Sequence, residues 1–296
     1  MIRKLLVLIV SLSLCLVGYA DSLPIDFEEE IEPIDEFPIA VDMLEEFIQS
    51  YYALLDSEEY LSGFSFLQLD KNVIANPGES LRGFLYKLME LRSGLRDKVT
   101  VYQIGDSHIK SGYFATTARS SLVEFFGSSL NYQFSGVNGG SYLNLHNNST
   151  LFAKAAELKP DLLVISLGTN DAQGTYNASR FRSELHNFMD RMRDYQGDAA
   201  VLFTLPPDGF KKGKQNADIA KVAAEISDYA CEQGHSVWNL GEVMGGKSSI
   251  SQWLAKGLAS QDRIHFSPQG YMLQGHLFYD ALMKAYKLQA EGGSDD

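Results

Sequence analysis

Cysteine is almost absent: the 296 residues hold two, Cys15 and Cys231. Cys15 lies in a stretch that reads as a removable leader, so Cys231 is the one thiol expected in the mature chain. A single thiol forms no intrachain disulfide, and the fold must rest on its apolar core. Basic residues are also scarce, 25 Lys and Arg against 38 Asp and Glu, for a net charge of −13. That balance argues against a nucleic-acid backbone as ligand. Cys and His do not cluster, so no catalytic metal and no other cofactor is expected. Beyond residue 20 no second hydrophobic span appears, and there is no internal repeat or low-complexity tract. Gly136-Val137-Asn138-Gly139 falls short of the dinucleotide fingerprint. Ser107 lacks the flanking glycines of a Gly-x-Ser-x-Gly elbow.

What is present begins with Arg3 and Lys4 ahead of an apolar stretch from Leu5 to Val17, closed by Gly18-Tyr19-Ala20. This pattern predicts a signal peptide over 1–20 and an exported protein, periplasmic or secreted, with no membrane span once it is cleaved. An uncleaved N-terminal anchor is the alternative. Residues 21–97 read as an acidic lead-in around Glu28-Glu29-Glu30 and a helical extension. Helical spacing runs over 41–55, and Asn76-Pro77-Gly78 marks a turn. Leu81, Phe84, Leu85, Leu88 and Leu91 then form one apolar helix face. The main domain is expected over 98–290, with a frayed tail at 291–296, in a monomer.

From residue 98 strand and helix patterns alternate. Strands are predicted at 99–104, 162–167, 199–205 and 235–240, and helices at 111–126, 180–195, 217–231 and 271–286. The run at 162–167 is apolar at nearly every position, as in a strand covered on both faces. Alternation of this kind predicts an α/β fold, a parallel sheet between two helical layers. Ligands of such folds bind at the carboxyl ends of the strands. Gly105-Asp106-Ser107-His108 and Gly168-Thr169-Asn170-Asp171 both stand at such ends.

A serine held at a strand-to-helix turn is a candidate nucleophile, although Gly-Asp-Ser is also ordinary turn chemistry. Hydrolysis by serine needs a base, a group that orients the base, and donors for the oxyanion. Asp262 stands three residues before His265, a spacing that can put both side chains on one side of a helical turn. Asp262 would hold one imidazole nitrogen and leave the other for Ser107. The backbone N–H of Ser107 and the side-chain NH₂ of Asn170 can face a developing oxyanion. The turn Ser135-Gly136-Val137-Asn138-Gly139-Gly140-Ser141 offers a third donor, Gly139, with Gly140 as the fallback. His108, Gly140 and Trp253 are candidates for substrate contact. Packing is the competing role for His108, and Trp238 is read as core. His146, His186, His235 and His276 read as surface or packing residues. The lysine-rich stretch 210–216 reads as a flexible loop near the cleft mouth.

Gly105-Asp106-Ser107, the glycine at 139, Gly168-Thr169-Asn170-Asp171 and Asp262-x-x-His265 resemble, in order, the four blocks of the SGNH (GDSL) hydrolases. The resemblance spans roughly 98–286. It implies a three-layer α/β/α, flavodoxin-like fold and metal-free ester hydrolysis. By position it makes Ser107, Asp262 and His265 the triad, with Ser107, Gly139 and Asn170 as the oxyanion hole. The stretches Ile104-Gly105-Asp106-Ser107-His108-Ile109, Met244-Gly245-Gly246 and His265-Phe266-Ser267-Pro268-Gln269-Gly270-Tyr271 are similar to exported bacterial members related to peptidoglycan O-acetylesterases. They imply removal of O-acetyl groups from a carbohydrate, with an acetylated cell-wall glycan as substrate. Some of those esterases carry an inserted carbohydrate-binding-like module between the first two blocks. The gap of about thirty residues between Ser107 and Gly139 leaves no room for one. A lipid esterase or thioesterase of the same fold, and a non-catalytic glycan-binding protein, are the rival readings.

Overall fold

The apolar run predicted as a strand covered on both faces lies near the middle of a six-stranded sheet. A computed structural model describes residues 63–75 and 79–292. The expected signal peptide, the acidic lead-in, the helical pattern over 41–55, the Asn76-Pro77-Gly78 turn and the last four residues lie outside the described residues. The sheet strands are β1 (Ile74–Ala75), β2 (Val99–Gly105), β3 (Leu130–Gly136), β4 (Leu162–Ser166), β5 (Ala200–Thr204) and, after a small hairpin of β6 (Phe210–Lys211) and β7 (Lys214–Gln215), β8 (Ser236–Trp238). Their order is β1-β8-β5-β4-β2-β3, parallel except for the antiparallel β1–β8 pair at one edge.

Alternation along the strands divides the core into two layers. Val99, Val101, Leu162, Val164, Ala200, Leu202 and Trp238 pack on one face. There they meet α1 (Glu79–Arg92), α3 (Tyr113–Phe126) and the long α11 (Pro268–Gly292). Tyr102, Ile104, Leu163, Ile165, Val201, Phe203 and Val237 pack on the other face. They meet α4 (Tyr142–Leu145), α5 (Ser149–Leu158), α7 (Ala178–Gln196) and α8 (Asp218–Glu232). The result is the three-layer α/β/α fold that the sequence predicts. Trp238 is core, as expected, and its Nε1 donates to Asn72 Oδ1 at 2.9 Å.

Four differences from the sequence reading stand out. The helix expected over 111–126 is α3, and an additional short helix, α2 (Ser107–Lys110), precedes it and is parted from it at Ser111-Gly112. Strand β3 and helix α5, which alternation did not single out, complete the sheet edge and the second layer. The stretch 210–216, expected as a flexible loop, forms the β6–β7 hairpin, with Phe210 paired to Gln215 and Lys211 to Lys214. Helix α11 begins at Pro268 and runs through residues 291 and 292.

Register places the site. Gly105 at the end of β2 pairs with Gly136 of β3 on one side and Ser166 of β4 on the other. Three chain segments therefore leave the sheet level with one another: 106–107, 137–141 and 167–170.

Candidate active site

Ser107 is the first residue of α2 and directly follows the Asp106 cap. Asp106 Oδ1 accepts the His108 N–H at 2.9 Å, which satisfies one of the donors a helix start leaves open. The N–H of Ser107 has no intrahelical acceptor at that position. Asp106 is 1% exposed, and its Oδ2 accepts from Asn170 Nδ2 at 3.2 Å. Burial raises its carboxyl to about 7 against the pull of the His108 N–H.

His265 comes 158 residues later and sets Nε2 3.0 Å from Ser107 Oγ. Its Nδ1 lies 2.7 Å from Asp262 Oδ2. The Asp262–His265 pair does not sit on a helical turn, as its spacing suggested. It occupies an irregular bend in which Arg263 takes a left-handed φ of 55°. The other Asp262 oxygen closes that bend by accepting the N–H groups of Ile264 at 2.8 Å and His265 at 3.0 Å. Partial burial pushes the Asp262 carboxyl up, but its bonds to the His265 ring and to these two backbone N–H groups outweigh burial and hold it below the usual range. The carboxylate shapes the loop and orients the imidazole together.

The loop is anchored at both ends. Ser260 donates its N–H to His265 O at 2.9 Å, and Ser267 donates to Leu258 O at 3.1 Å. Ser267 Oγ accepts the Gly270 N–H at 3.2 Å, near the start of α11. Phe210 donates its N–H to Arg263 O at 2.8 Å, and the Arg263 guanidinium lies 4.8 Å over the Phe210 ring. Gln173 at the end of α6 (Thr169–Gln173) donates to Phe210 O at 2.7 Å. The β6–β7 hairpin thus joins the helix of Asn170 to the loop of His265.

Gly139 and Asn170 complete the cluster. Gly139 has φ +69° and open space where a Cβ would stand. No acceptor for its N–H is found among the described residues, while its carbonyl accepts from Asn144 Nδ2 at 2.7 Å. Gly140 behaves differently. It is buried against the Asp106 backbone, and its N–H already donates to Val137 O at 2.9 Å. Its carbonyl accepts from Asn170 Nδ2 at 2.9 Å. Gly140 is therefore a support for Asn170 and neither a spare donor nor a substrate contact.

Two other contact candidates are corrected. Trp253 is fully buried and donates to Met244 O at 2.9 Å, its ring 5.3 Å from that of Phe266. It packs against Phe266, the neighbour of His265, with no exposed surface. His108 is 8% exposed and turned inward against Phe266 and Tyr271. It follows Ser107 in sequence, but its ring packs against Phe266 and Tyr271 while Ser107 Oγ meets His265. Asp106, buried, and Asp171, half-buried, flank the site beside Asn170 and are not among the residues the sequence singled out. Asp171 Oδ1 accepts the Tyr142 N–H at 3.1 Å. The signal was available, since each acid is chain-adjacent to a candidate residue at a buried strand end. Among the described residues no group of three or more His, Cys, Asp or Glu is placed to hold a metal. No helix among them is long and apolar enough to cross a membrane.

A model of the GDSL-like lipase/acylhydrolase family matches residues 104–273, from the end of β2 into α11. The chain belongs to this family. It is a carboxylic ester hydrolase with the SGNH fold. Among solved GDSL-type folds, one described as a peptidoglycan O-acetylesterase in action aligns with a TM-score of 0.65 at 16% identity. That alignment covers 72% of this chain and 99% of the other. A second, described as a GDSL-like lipase from Parabacteroides merdae, aligns with a TM-score of 0.55 at 12% identity, over 64% of this chain and 97% of its own. At these identities the likeness is one of fold. No curated protein matches the chain in sequence.

Proposed function

We propose that this GDSL hydrolase is an exported serine esterase that removes O-acetyl groups from a carbohydrate, with O-acetylated peptidoglycan as the first candidate. The observation that carries the catalytic part is the unbroken chain Ser107 Oγ–His265 Nε2 at 3.0 Å and His265 Nδ1–Asp262 Oδ2 at 2.7 Å. Residues 98–290 are read as the hydrolase domain, with 21–97 as its extension.

In this mechanism His265 Nε2 takes the Ser107 proton as Oγ bonds to the acetyl carbonyl carbon. The tetrahedral oxyanion is held by the N–H groups of Ser107 and Gly139 and by Asn170 Nδ2. The internal bonds of Asn170 to Gly140 O and Asp106 Oδ2 hold its amide plane, and the oxyanion shares one of those hydrogens. His265 returns the proton to the departing sugar oxygen, which leaves an acetyl ester on Ser107. Water then gives a proton to His265 and attacks that ester, and acetate departs as Ser107 regains its proton. Asp262 keeps Nδ1 protonated and stabilises the imidazolium.

Acetate release from O-acetylated peptidoglycan, acetylated xylan and simple esters tests both parts. Ser107→Ala and His265→Ala should each lose nearly all turnover, and near wild-type turnover in either removes the triad. A preference for octanoyl over acetyl esters would favour a lipid esterase or thioesterase. Tight glycan binding without acetate release would favour a binding protein.

A further inference from the structure

Beside His108 lies a small pocket of mixed polar and apolar lining that the triad does not use. The His108 ring centroid is 5.3 Å from that of His265, 5.8 Å from Phe266 and 5.7 Å from Tyr271. His108 Nδ1 lies 3.0 Å from the Tyr271 hydroxyl oxygen, while its buried Nε2 has no hydrogen-bond partner. A cavity of about 20 Å³ is lined by His108, Asp106, Ser166, Thr169, Thr204 and Gln274 among others. Gln274 is 1% exposed, and its Nε2 is likewise without a partner. Tyr271 and Gln274 stand three residues apart on α11 and so share a side of that helix. A space of this size holds one water, and such a water needs two to four polar partners.

We propose that His108 is a positioning residue for His265, its ring clamped between the Tyr271 hydroxyl and an ordered water that it shares with Gln274. The proposal rests on the reading of His265 as the catalytic base. In this arrangement the Tyr271 hydroxyl donates to His108 Nδ1, 3.0 Å away. A neutral ring then carries its proton on Nε2, aimed into the cavity. The water accepts from that Nε2–H and from a Gln274 N–H, and donates to oxygens of the cavity wall. The ionisable groups facing His108 are Asp106, Asp262, His265 and Tyr271. Burial, and then the charge of His265, push its imidazole down to about 3, with Asp262 acting the other way. An uncharged ring at this distance limits the rotation of His265 without opposing the positive charge it takes up.

The test is ¹⁵N-histidine NMR on the full chain, with kinetics on 4-nitrophenyl acetate. The expected result is a histidine that contacts the Tyr271 ring and stays neutral, with its proton on Nε2, from pH 5 to pH 8. His108→Phe and Tyr271→Phe should lower kcat by about tenfold with KM unchanged. Ionisation of that histidine above pH 5, or a proton on Nδ1, overturns the proposal without recourse to a variant. Wild-type kcat in both variants also overturns it. Ser107→Ala in the same assay separates the two readings. If it is inactive while the His108 and Tyr271 variants match wild type, the positioning role alone fails, and if it is active the triad itself fails.

Discussion

Asp262 carries three hydrogen bonds on one carboxylate: two fold the loop, and one orients the base. Asp262→Asn separates these duties. An amide oxygen can still accept from Ile264 and His265, but an amide N–H now meets His265 Nδ1. That makes Nδ1 an acceptor and moves the ring proton to Nε2, the atom that must receive from Ser107. Steady-state kinetics on an acetyl ester should show kcat lower by about 10³–10⁴-fold with little change in KM. A loss under about tenfold would end the orienting role assigned to Asp262. Asp171 makes a different prediction. Burial raises its carboxyl to about 7, against the pull of the Tyr142 N–H, and one of its oxygens has no partner. The folded chain therefore holds this proton more tightly than the unfolded chain does. Stability is full below the usual carboxylate range, falls as pH rises toward about 7, and is level above it. Asp106 titrates in the same direction, and the Asp171 charge contributes to its shift. Asp171→Asn keeps an acceptor for Tyr142 and removes the buried charge. Thermal denaturation should show the variant gaining on wild type at pH 8 and not at pH 4, and an equal gap at both would contradict this.

At the scale of elements, the His265 loop is held by what packs beneath it. A Cβ on Gly270 would stand 1.9 Å from Leu258 O and 3.1 Å from Phe266 Cβ. The first contact is with backbone, so α11 or the loop has to move. Gly270→Ala is expected to cost about 1–3 kcal/mol in denaturant unfolding. It should also lower kcat, because Phe266 is the immediate neighbour of His265. Unchanged stability and turnover would show that α11 does not position the loop. The β6–β7 hairpin works from the opposite side. Asp208 anchors it through Gln215 and also accepts the Ile250 N–H at 3.0 Å. Its Phe210 touches both the Asn170 helix and the Arg263 carbonyl. The lysines in this stretch suggested a mobile loop because they are polar and flank a glycine. Lys211 instead donates to Ala172 O at 2.9 Å and pairs with Asp218, also at 2.9 Å. These partners are distant or across a turn, and spacing along the chain does not reveal them.

Across the whole molecule, the layered fold was legible because burial on both faces leaves a local mark. Leu162 to Leu167 is apolar at every position but Ser166, and the helices of each layer repeat at 3.6 residues. Strand β3 was not legible in that way. It lies at the sheet edge, and Asn131, Gln133 and Ser135 alternate with Leu130 and Tyr132, so no continuous apolar run marks it. The residue types of the site and their order were also written in the chain, as Gly105-Asp106-Ser107, Gly168-Thr169-Asn170-Asp171 and Asp262-x-x-His265. By itself, then, the sequence determined the fold class, the candidate residues and the end of the strands they occupy, since periodicity and short motifs are local properties. Only the tertiary structure decided that Ser107 Oγ and His265 Nε2 meet at 3.0 Å, that Gly140 serves Asn170 from within, and that His108 and Trp253 face inward. Those facts depend on which surfaces β2, β4 and α11 bury against one another, and a side chain's direction is set by packing partners far away along the chain.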